Sequence, residues 1–115
     1  MAADVEAEIT LLPTQQRGRR TLTGYRPAHA IRPDYHTSGL HEYLDRESVS
    51  PGETARGLIT FLAPEQYPPT LPVGQDVPFY EGSRQIGVAR ITRILNPLLD
   101  SAARPAERTR EGDAI

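Results

Sequence analysis

The segment that most constrains the fold of this chain is FYEGSRQIGVARITRIL, residues 79–95. Residues 86–95 alternate with a period of two and are rich in β-branched side chains, which predicts a strand rather than a helix. A tight turn, Glu81-Gly82-Ser83-Arg84, separates this strand from the shorter one before it. Gly82 allows the positive φ angle that a short hairpin needs, and Gly87 predicts a close backbone approach or a bulge. This part of the chain is therefore predicted to be a β-hairpin.

Other segments predict further short strands. Residues 5–12 and 54–63 alternate in the same way, and a Pro-Gly turn at 50–53 precedes the second of them. Residues 24–32 are predicted to be extended, with Pro27 confining them to a sheet edge or a bulge. Residues 33–47 fit either a helix or a strand with a turn.

Proline and glycine are too frequent for long helices. The 115 residues include 11 Pro and 9 Gly, and turn signals recur between the apolar runs. We therefore expect one all-β domain, a small antiparallel barrel of about six strands. Its predicted extent is residues 1–96, followed by a disordered tail at 97–115 that is rich in Pro, Ala and Arg.

The composition excludes several kinds of chemistry. The chain has no Cys, so disulfides, zinc ribbons and thiol nucleophiles are ruled out. All 13 basic residues are Arg, and without Lys there is no P-loop lysine, Schiff-base lysine or Lys general base. The N-terminus does not resemble a signal peptide and no apolar run could span a membrane, so we expect a cytoplasmic protein without a membrane partner.

The three histidines suggest a metal site that their spacing does not support. His29, His36 and His41 are seven and five residues apart, which matches none of the HxH, HxxxH or HExxH patterns. No nucleophile elbow accompanies them either. We therefore expect histidines on the surface of an irregular segment, with no metal, no cofactor and no enzymatic activity.

Charge is distributed unevenly along the chain. The net charge is −2, yet residues 9–33 contain no acidic residue and five arginines: Arg17, Arg19, Arg20, Arg26 and Arg32. A locally basic segment of this kind can bind the phosphates of a nucleic acid, and the alternative is a solvated loop. Tyr25 and Tyr80 fit either stacking on bases or capping a core that has few aromatic residues.

Four motifs follow one another along the chain: VEAEITLL at 5–12, RGRR with GYRP at 17–27, Pro-Gly-Glu at 51–53 with its following strand, and the hairpin at 79–95. Their order and spacing resemble the third domain of bacterial translation elongation factor Tu, from about residue 5 to residue 96. The resemblance implies a six-stranded antiparallel Greek-key β-barrel. At 28–31 the sequence AHAI replaces an aromatic run that packs in that family.

The resemblance also implies a binding function. In the full factor this domain packs against the GTPase domain and contacts the T-arm of aminoacyl-tRNA. The positions that match T-arm contacts are Arg19, Arg20, Thr37, Glu81 and Gly82. The basic character of the neighbouring segments adds the arginines Arg17, Arg26 and Arg84 to the predicted RNA-binding set.

The chain has no GxxxxGK[ST] motif and no segment that resembles the other two domains of the factor. We therefore expect a stand-alone, non-enzymatic, translation-related binding module that contacts tRNA or a related RNA. The alternative is a protein-interaction module without RNA binding, either a regulator of a translation factor or a homodimer.

Overall fold

The computed structural model describes residues 3–13, 20–32, 35–62 and 71–99. The strands are β1 (Val5–Leu11), β2 (Thr21–Leu22), β3 (Ala28–Arg32), β4 (Tyr35–Tyr43), β5 (Ser48–Val49), β6 (Thr54–Phe61), β7 (Asp76–Glu81) and β8 (Arg84–Ile94). A short 3-10 helix, Pro97–Leu99, follows β8. Within these ranges, no helix has the length and apolar character needed to cross a membrane.

Six of the strands form a closed antiparallel barrel in the order β1-β6-β4-β3-β7-β8. Strands β3, β4 and β6 are consecutive neighbours, and β1 lies beside β6, which is a Greek-key arrangement. Strand β1 closes the barrel because it pairs with β6 on one side and β8 on the other. The remaining two strands, β2 and β5, form a separate two-stranded sheet. The prediction of a small all-β barrel is confirmed.

Alternate residues of the strands point into the barrel and form its core. In β1 the buried residues are Val5, Ala7, Ile9 and Leu11, whereas the residues between them are partly or fully exposed. Strand β6 follows the same rule with Ala55, Gly57, Ile59 and Phe61. This burial of apolar surface is the main force that stabilises the fold.

Two bulges in β8 change the side-chain faces that the sequence predicted. The pairing with β7 skips Ile86, and the pairing with β1 skips Thr92. A bulge inserts an unpaired residue and reverses the faces of the residues beyond it. The strict alternation predicted for residues 86–95 is therefore wrong at both ends. The buried residues of β8 are Ile86, Gly87, Ala89 and Ile91.

Two further expectations are resolved around β3 and β4. Segment 33–47, for which helix and strand were both open, contains the nine-residue strand β4. Of the two alternatives for residues 24–32, the edge position is wrong, because β3 pairs with β4 on one side and β7 on the other. A bulge is present, since the pairing with β4 skips Ile31. Pro27 precedes the strand, and its carbonyl accepts a hydrogen bond from the Gly39 N–H at 3.1 Å.

The predicted turns are present. Gly82 has a φ angle of 62°, as the hairpin between β7 and β8 requires. In the turn before β6, the Glu53 N–H donates to the Ser50 carbonyl at 2.9 Å, and Gly52 has a φ angle of 87°. Glycine is favoured at both positions because other residues rarely adopt these angles.

Asp4 joins three strands at the end of the barrel where β1 begins. Its side chain is 3% exposed. Oδ2 accepts a hydrogen bond from the Phe61 N–H at 2.6 Å, and Oδ1 accepts one from Asn96 Nδ2 at 2.8 Å. Because Phe61 ends β6 and Asn96 follows β8, one carboxylate links both neighbours of β1.

The packed chain continues beyond the boundary predicted at residue 96. Leu99 is fully buried, and its carbonyl accepts a hydrogen bond from the Leu71 N–H at 3.1 Å. The 3-10 helix thus packs against the barrel. The rest of the predicted tail, residues 100–115, lies outside the described residues.

We expect the substitution Asp4→Ala to lower the free energy of unfolding by about 2–4 kcal/mol, because it leaves buried donors on Phe61 and Asn96 without an acceptor. Urea denaturation measures this loss. Asp76→Ala is the control, since Asp76 is exposed and its ion pair with Arg90 contributes little. Equal losses in the two variants would contradict the role given to Asp4.

We expect Gly87→Ala to destabilise the barrel by about 2 kcal/mol or more, because overpacking forces the neighbours apart. A Cβ atom at this position would lie less than 3.0 Å from the Thr10 carbonyl oxygen and from the Phe79 ring. Arg93→Ala, at an exposed position of the same strand, serves as the control in thermal denaturation. If the Gly87→Ala protein is as stable as this control, the backbone of β8 moves to make room for the Cβ atom, and the prediction is contradicted.

Candidate nucleic-acid interface and a buried histidine pair

Most of the predicted RNA-binding residues lie at one end of the barrel, which we call the hairpin end. It consists of the turn between β7 and β8, the segment 20–27 before β3, and residues 12–13 after β1. The Leu12 N–H donates to the Ile86 carbonyl at 2.9 Å. The chain therefore leaves β1 beside the start of β8, at the point where it enters the arginine-rich segment.

A hydrogen bond ties the segment before β3 to the hairpin. The Tyr25 hydroxyl donates to Oε2 of Glu81 at 2.6 Å. The Tyr25 ring packs edge-on against Phe79, with 6.3 Å between ring centroids, so this tyrosine caps the core. Arg26 follows directly, and Arg84 pairs with Glu81 across the turn. Two chain segments that carry predicted RNA contacts are thus held side by side.

Three predicted arginines at this end have exposed side chains: Arg20, Arg26 and Arg84. None of the three forms an ion pair with another described residue. By contrast, Arg46, Arg56 and Arg90 are each within 4.0 Å of a carboxylate. A guanidinium without a carboxylate partner can donate two parallel N–H bonds to a phosphate.

The other predicted contacts are distributed differently. Gly82 is exposed at the tip of the hairpin, and Glu81 is half-buried by its bond to Tyr25. Thr37 is half-buried in β4, which β3 separates from the hairpin, and its hydroxyl lies 3.5 Å from the Leu62 carbonyl. Arg17 and Arg19 lie outside the described residues.

An aromatic pair lies on the outer face of the barrel beside the hairpin end. The rings of His36 and Tyr80 are stacked, with centroids 5.4 Å apart and planes at 26°. His36 is exposed, and Ala28 occupies the strand position next to Tyr80. Exposed rings of this kind can stack on an unpaired base.

A groove runs along the outer face of β4 and β6 next to this aromatic pair. Leu40, Glu42, Thr60 and Leu62 are among its lining residues, and Arg26 borders it. Leu62 is 68% exposed although it is a large apolar side chain. The groove is therefore a mixed surface with an apolar part and both signs of charge.

The prediction that the histidines lie on the surface is wrong for two of the three. His29 and His41 are 0% exposed and face each other inside the barrel. Their Nε2 atoms are 2.8 Å apart. The Phe79 ring packs against both, with centroids 5.7 Å from His29 and 5.0 Å from His41. Only His36 is exposed, as predicted.

The short Nε2–Nε2 distance fixes the proton arrangement of the neutral pair. One Nε2 must donate and the other must accept, so the two rings hold different tautomers. The accepting ring then carries its proton on Nδ1. Neither Nδ1 atom has a hydrogen-bond partner in the described part of the chain. The pair therefore leaves one buried N–H donor unpaired, which costs about 1–3 kcal/mol.

Gly39 makes room for the His29 ring. A Cβ atom on Gly39 would lie 2.6 Å from Cε1 and 2.8 Å from Nδ1 of His29. These separations are shorter than van der Waals contact, so the ring occupies space that any other residue at 39 would fill. The backbone of β4 and the side chain on β3 are thus complementary in shape.

Burial keeps both histidines neutral. Burial lowers the pKa of His29 from 6.5 to about 4. The backbone of Thr37 and Pro27 acts in the opposite direction and raises this pKa, but neither residue forms a well-aligned hydrogen bond with Nδ1. Burial and repulsion from His29 lower the pKa of His41 well below its usual value of 6.5. Desolvation disfavours the charged imidazolium in each case.

The described residues do not complete the pair to a set of metal ligands. Two nitrogen atoms provide half of a tetrahedral set of ligands. No group of three or more His, Asp or Glu residues within the described ranges is arranged to hold a metal ion. The two nitrogens instead bond to each other.

The sequence has no significant match to a known protein-family model or to a curated protein. The resemblance to the third domain of elongation factor Tu therefore stays a prediction that rests on the four motifs.

We expect the barrel to lose stability as the pH falls through the range from 6.5 to about 4. Both folded-state pKa values lie below that of the unfolded chain, so protons bind preferentially to the unfolded state and the stabilisation is fully present only above 6.5. For His29 alone the loss amounts to about 3 kcal/mol. Urea denaturation across this range measures it, and a flat profile would contradict the buried, neutral pair.

Proposed function

We propose that this barrel is a non-enzymatic module that binds tRNA or a related RNA at its hairpin end, with a role in translation. The observation that carries the proposal is the Tyr25–Glu81 hydrogen bond of 2.6 Å. It holds the segment with Arg26 against the hairpin with Arg84, so that exposed guanidiniums from two parts of the chain occupy one end of the barrel.

Electrostatics supports a phosphate backbone as the ligand. The net charge of −2 opposes binding to RNA, so any affinity must come from a local basic surface. Arg20, Arg26 and Arg84 are exposed and lack a carboxylate partner in the described ranges. Such groups release counterions when they contact phosphates, and this release makes the affinity depend on salt.

The stacked rings of His36 and Tyr80 supply a second kind of contact. Tyr80 directly precedes the hairpin residue Glu81, and base stacking does not depend strongly on sequence. In this proposal the arginines position the RNA backbone, and the ring pair receives an unpaired base at a loop or an end.

A second candidate function is protein binding through the groove on β4 and β6. The exposed Leu62 and the half-buried Leu40 give this surface an apolar part, which protein interfaces use in their centres. A regulator that binds a translation factor, or a second copy of this chain, fits this surface. Because the groove and the arginines lie close together, the RNA-binding and protein-binding functions have to be distinguished by substitutions in each surface.

We expect the double variant Arg26→Ala/Arg84→Ala to bind bulk tRNA at least about tenfold more weakly than the wild-type protein, and its salt dependence to fall by about two counterions. Fluorescence anisotropy at two salt concentrations measures both quantities. Arg93→Ala is the matched control, since it removes an exposed arginine at the opposite end of β8.

Unchanged binding in the double variant would rule out this site. If the wild-type protein binds no tRNA even at low salt, the RNA proposal fails. A Leu62→Asp variant then tests the groove, with analytical ultracentrifugation for self-association and a purified translation factor as the protein probe.

A further inference from the structure

His41 belongs both to the buried pair and to the anchorage of the Arg26 segment. Its N–H donates to the Tyr25 carbonyl at 2.9 Å, and its carbonyl accepts from the Gly24 N–H at 2.8 Å. The Gly39 N–H adds a third bond, to the Pro27 carbonyl. The part of β4 that carries the buried ring therefore also holds segment 24–27 in place.

We propose that the His29–His41 pair is an acid-operated switch that releases segment 24–27 from β4. A first proton leaves the Nε2–Nε2 bond intact but adds a positive charge inside the barrel. A second proton places two N–H donors opposite each other across 2.8 Å, which no hydrogen bond can accommodate. The doubly protonated pair is therefore incompatible with the closed arrangement.

The described residues around the pair provide no negative charge to compensate the added proton. From β6 and β7 the rings meet Phe61 and Phe79, which are apolar. The titratable neighbours are Tyr25, bonded to Glu81 on β7, and Tyr43 on β4, whose hydroxyl is bonded to Thr21. No carboxylate among the described residues forms an ion pair with either histidine. An uncompensated buried charge is unstable, so an acidified pair must reach water.

Segment 24–27 lies between His41 and solvent, since Gly24 and Arg26 are exposed and Tyr25 is half-buried. The Tyr25 ring lies over the edge of His41, with centroids 5.7 Å apart, and three backbone hydrogen bonds hold the segment to β4. Strand β1, by comparison, pairs along its whole length with strands on both sides. Local opening of a short segment requires less free energy than global unfolding, because it breaks fewer contacts. The first response to acid is thus displacement of this segment.

Release has a consequence for the hairpin end. Displacement of Tyr25 breaks its bond to Glu81 and removes the segment with Arg26 from its place beside the hairpin that carries Arg84. This coupling to RNA rests on the proposed function. The switch itself is a property of the barrel and does not rest on that function.

Amide hydrogen exchange, followed by NMR at about pH 7.5 and about pH 5, tests the switch. The reporter amides are those of Gly24, Gly39 and His41, and the reference amides are Leu11 and Ile91, which donate to Glu53 and Gln75. After correction for intrinsic exchange rates, we expect reporter protection to fall about tenfold or more at the lower pH and to stay independent of low urea concentrations, as local opening requires. Reference protection falls with the global stability of the barrel but keeps the urea dependence of complete unfolding. Reporter amides with the same protection and the same urea dependence as the reference amides would mean global unfolding and would overturn the proposal.

Two variants and one titration complete the test. His29→Phe/His41→Leu removes the pair, and its reporter amides are expected to keep their protection at the lower pH. His36→Gln removes the exposed histidine, and its reporter amides are expected to lose protection at the lower pH as those of the wild type do. If the double variant does not fold, the pKa values of the two buried rings are measured instead, by NMR titration of their Cε1–H signals in the wild type. A pKa near 6.5 for either buried ring overturns the proposal.

tRNA binding at the same two pH values separates this proposal from the previous one. Weaker binding at the lower pH in the wild type, but not in the double variant, supports the coupling. If tRNA binds at neither pH, the RNA function fails, and the exchange experiment still decides whether the switch exists.

Discussion

The whole barrel depends on β1, the strand that closes the sheet. An open sheet of this size would present two edges with unpaired N–H and C=O groups and an uncovered core face. Strand β1 removes both edges by pairing with β6 and β8. The Asp4 carboxylate extends this closure past the end of the strand, because it bonds to the last residue of β6 and to Asn96 just after β8. The enclosed interior and the histidines inside it exist only because this ring is complete.

The strands could be predicted from the sequence because their alternation is a local property. Residues 5–12 and 54–63 show it directly, and the glycine of the hairpin turn marks the change of direction. Gly87 indicated a close backbone approach or a bulge, and the structure has both a bulge at the adjacent Ile86 and a close approach to the Thr10 carbonyl. The bulge at Thr92 could not be predicted, because a bulge is defined by the register of the partner strand. Segment 33–47 was ambiguous because its apolar residues fit two periods, and tertiary pairing chose the strand.

The candidate site was predictable in part. The sequence assigned residues of the GYRP segment and of the hairpin to one RNA-binding set, but no local pattern shows that Tyr25 meets Glu81 at a separation of 56 residues. The buried histidines were missed because a polar residue in a polar segment indicates surface. A signal was present nonetheless, since His41 shares its strand face with Gly39 and Tyr43. Two residues suited to an interior flank it at the spacing of a strand.

The fit between Gly39 and His29 also constrains how this sequence can vary. The ring fills the space above a backbone that has no side chain, so neither position can change freely on its own. A larger residue at position 39 fits only if position 29 holds a smaller side chain. Conversely, a smaller side chain at position 29 leaves a cavity unless the residue at position 39 is larger. Among relatives of this protein the two positions should therefore co-vary, and an alanine at 39 should mark a barrel whose interior no longer holds an imidazole pair.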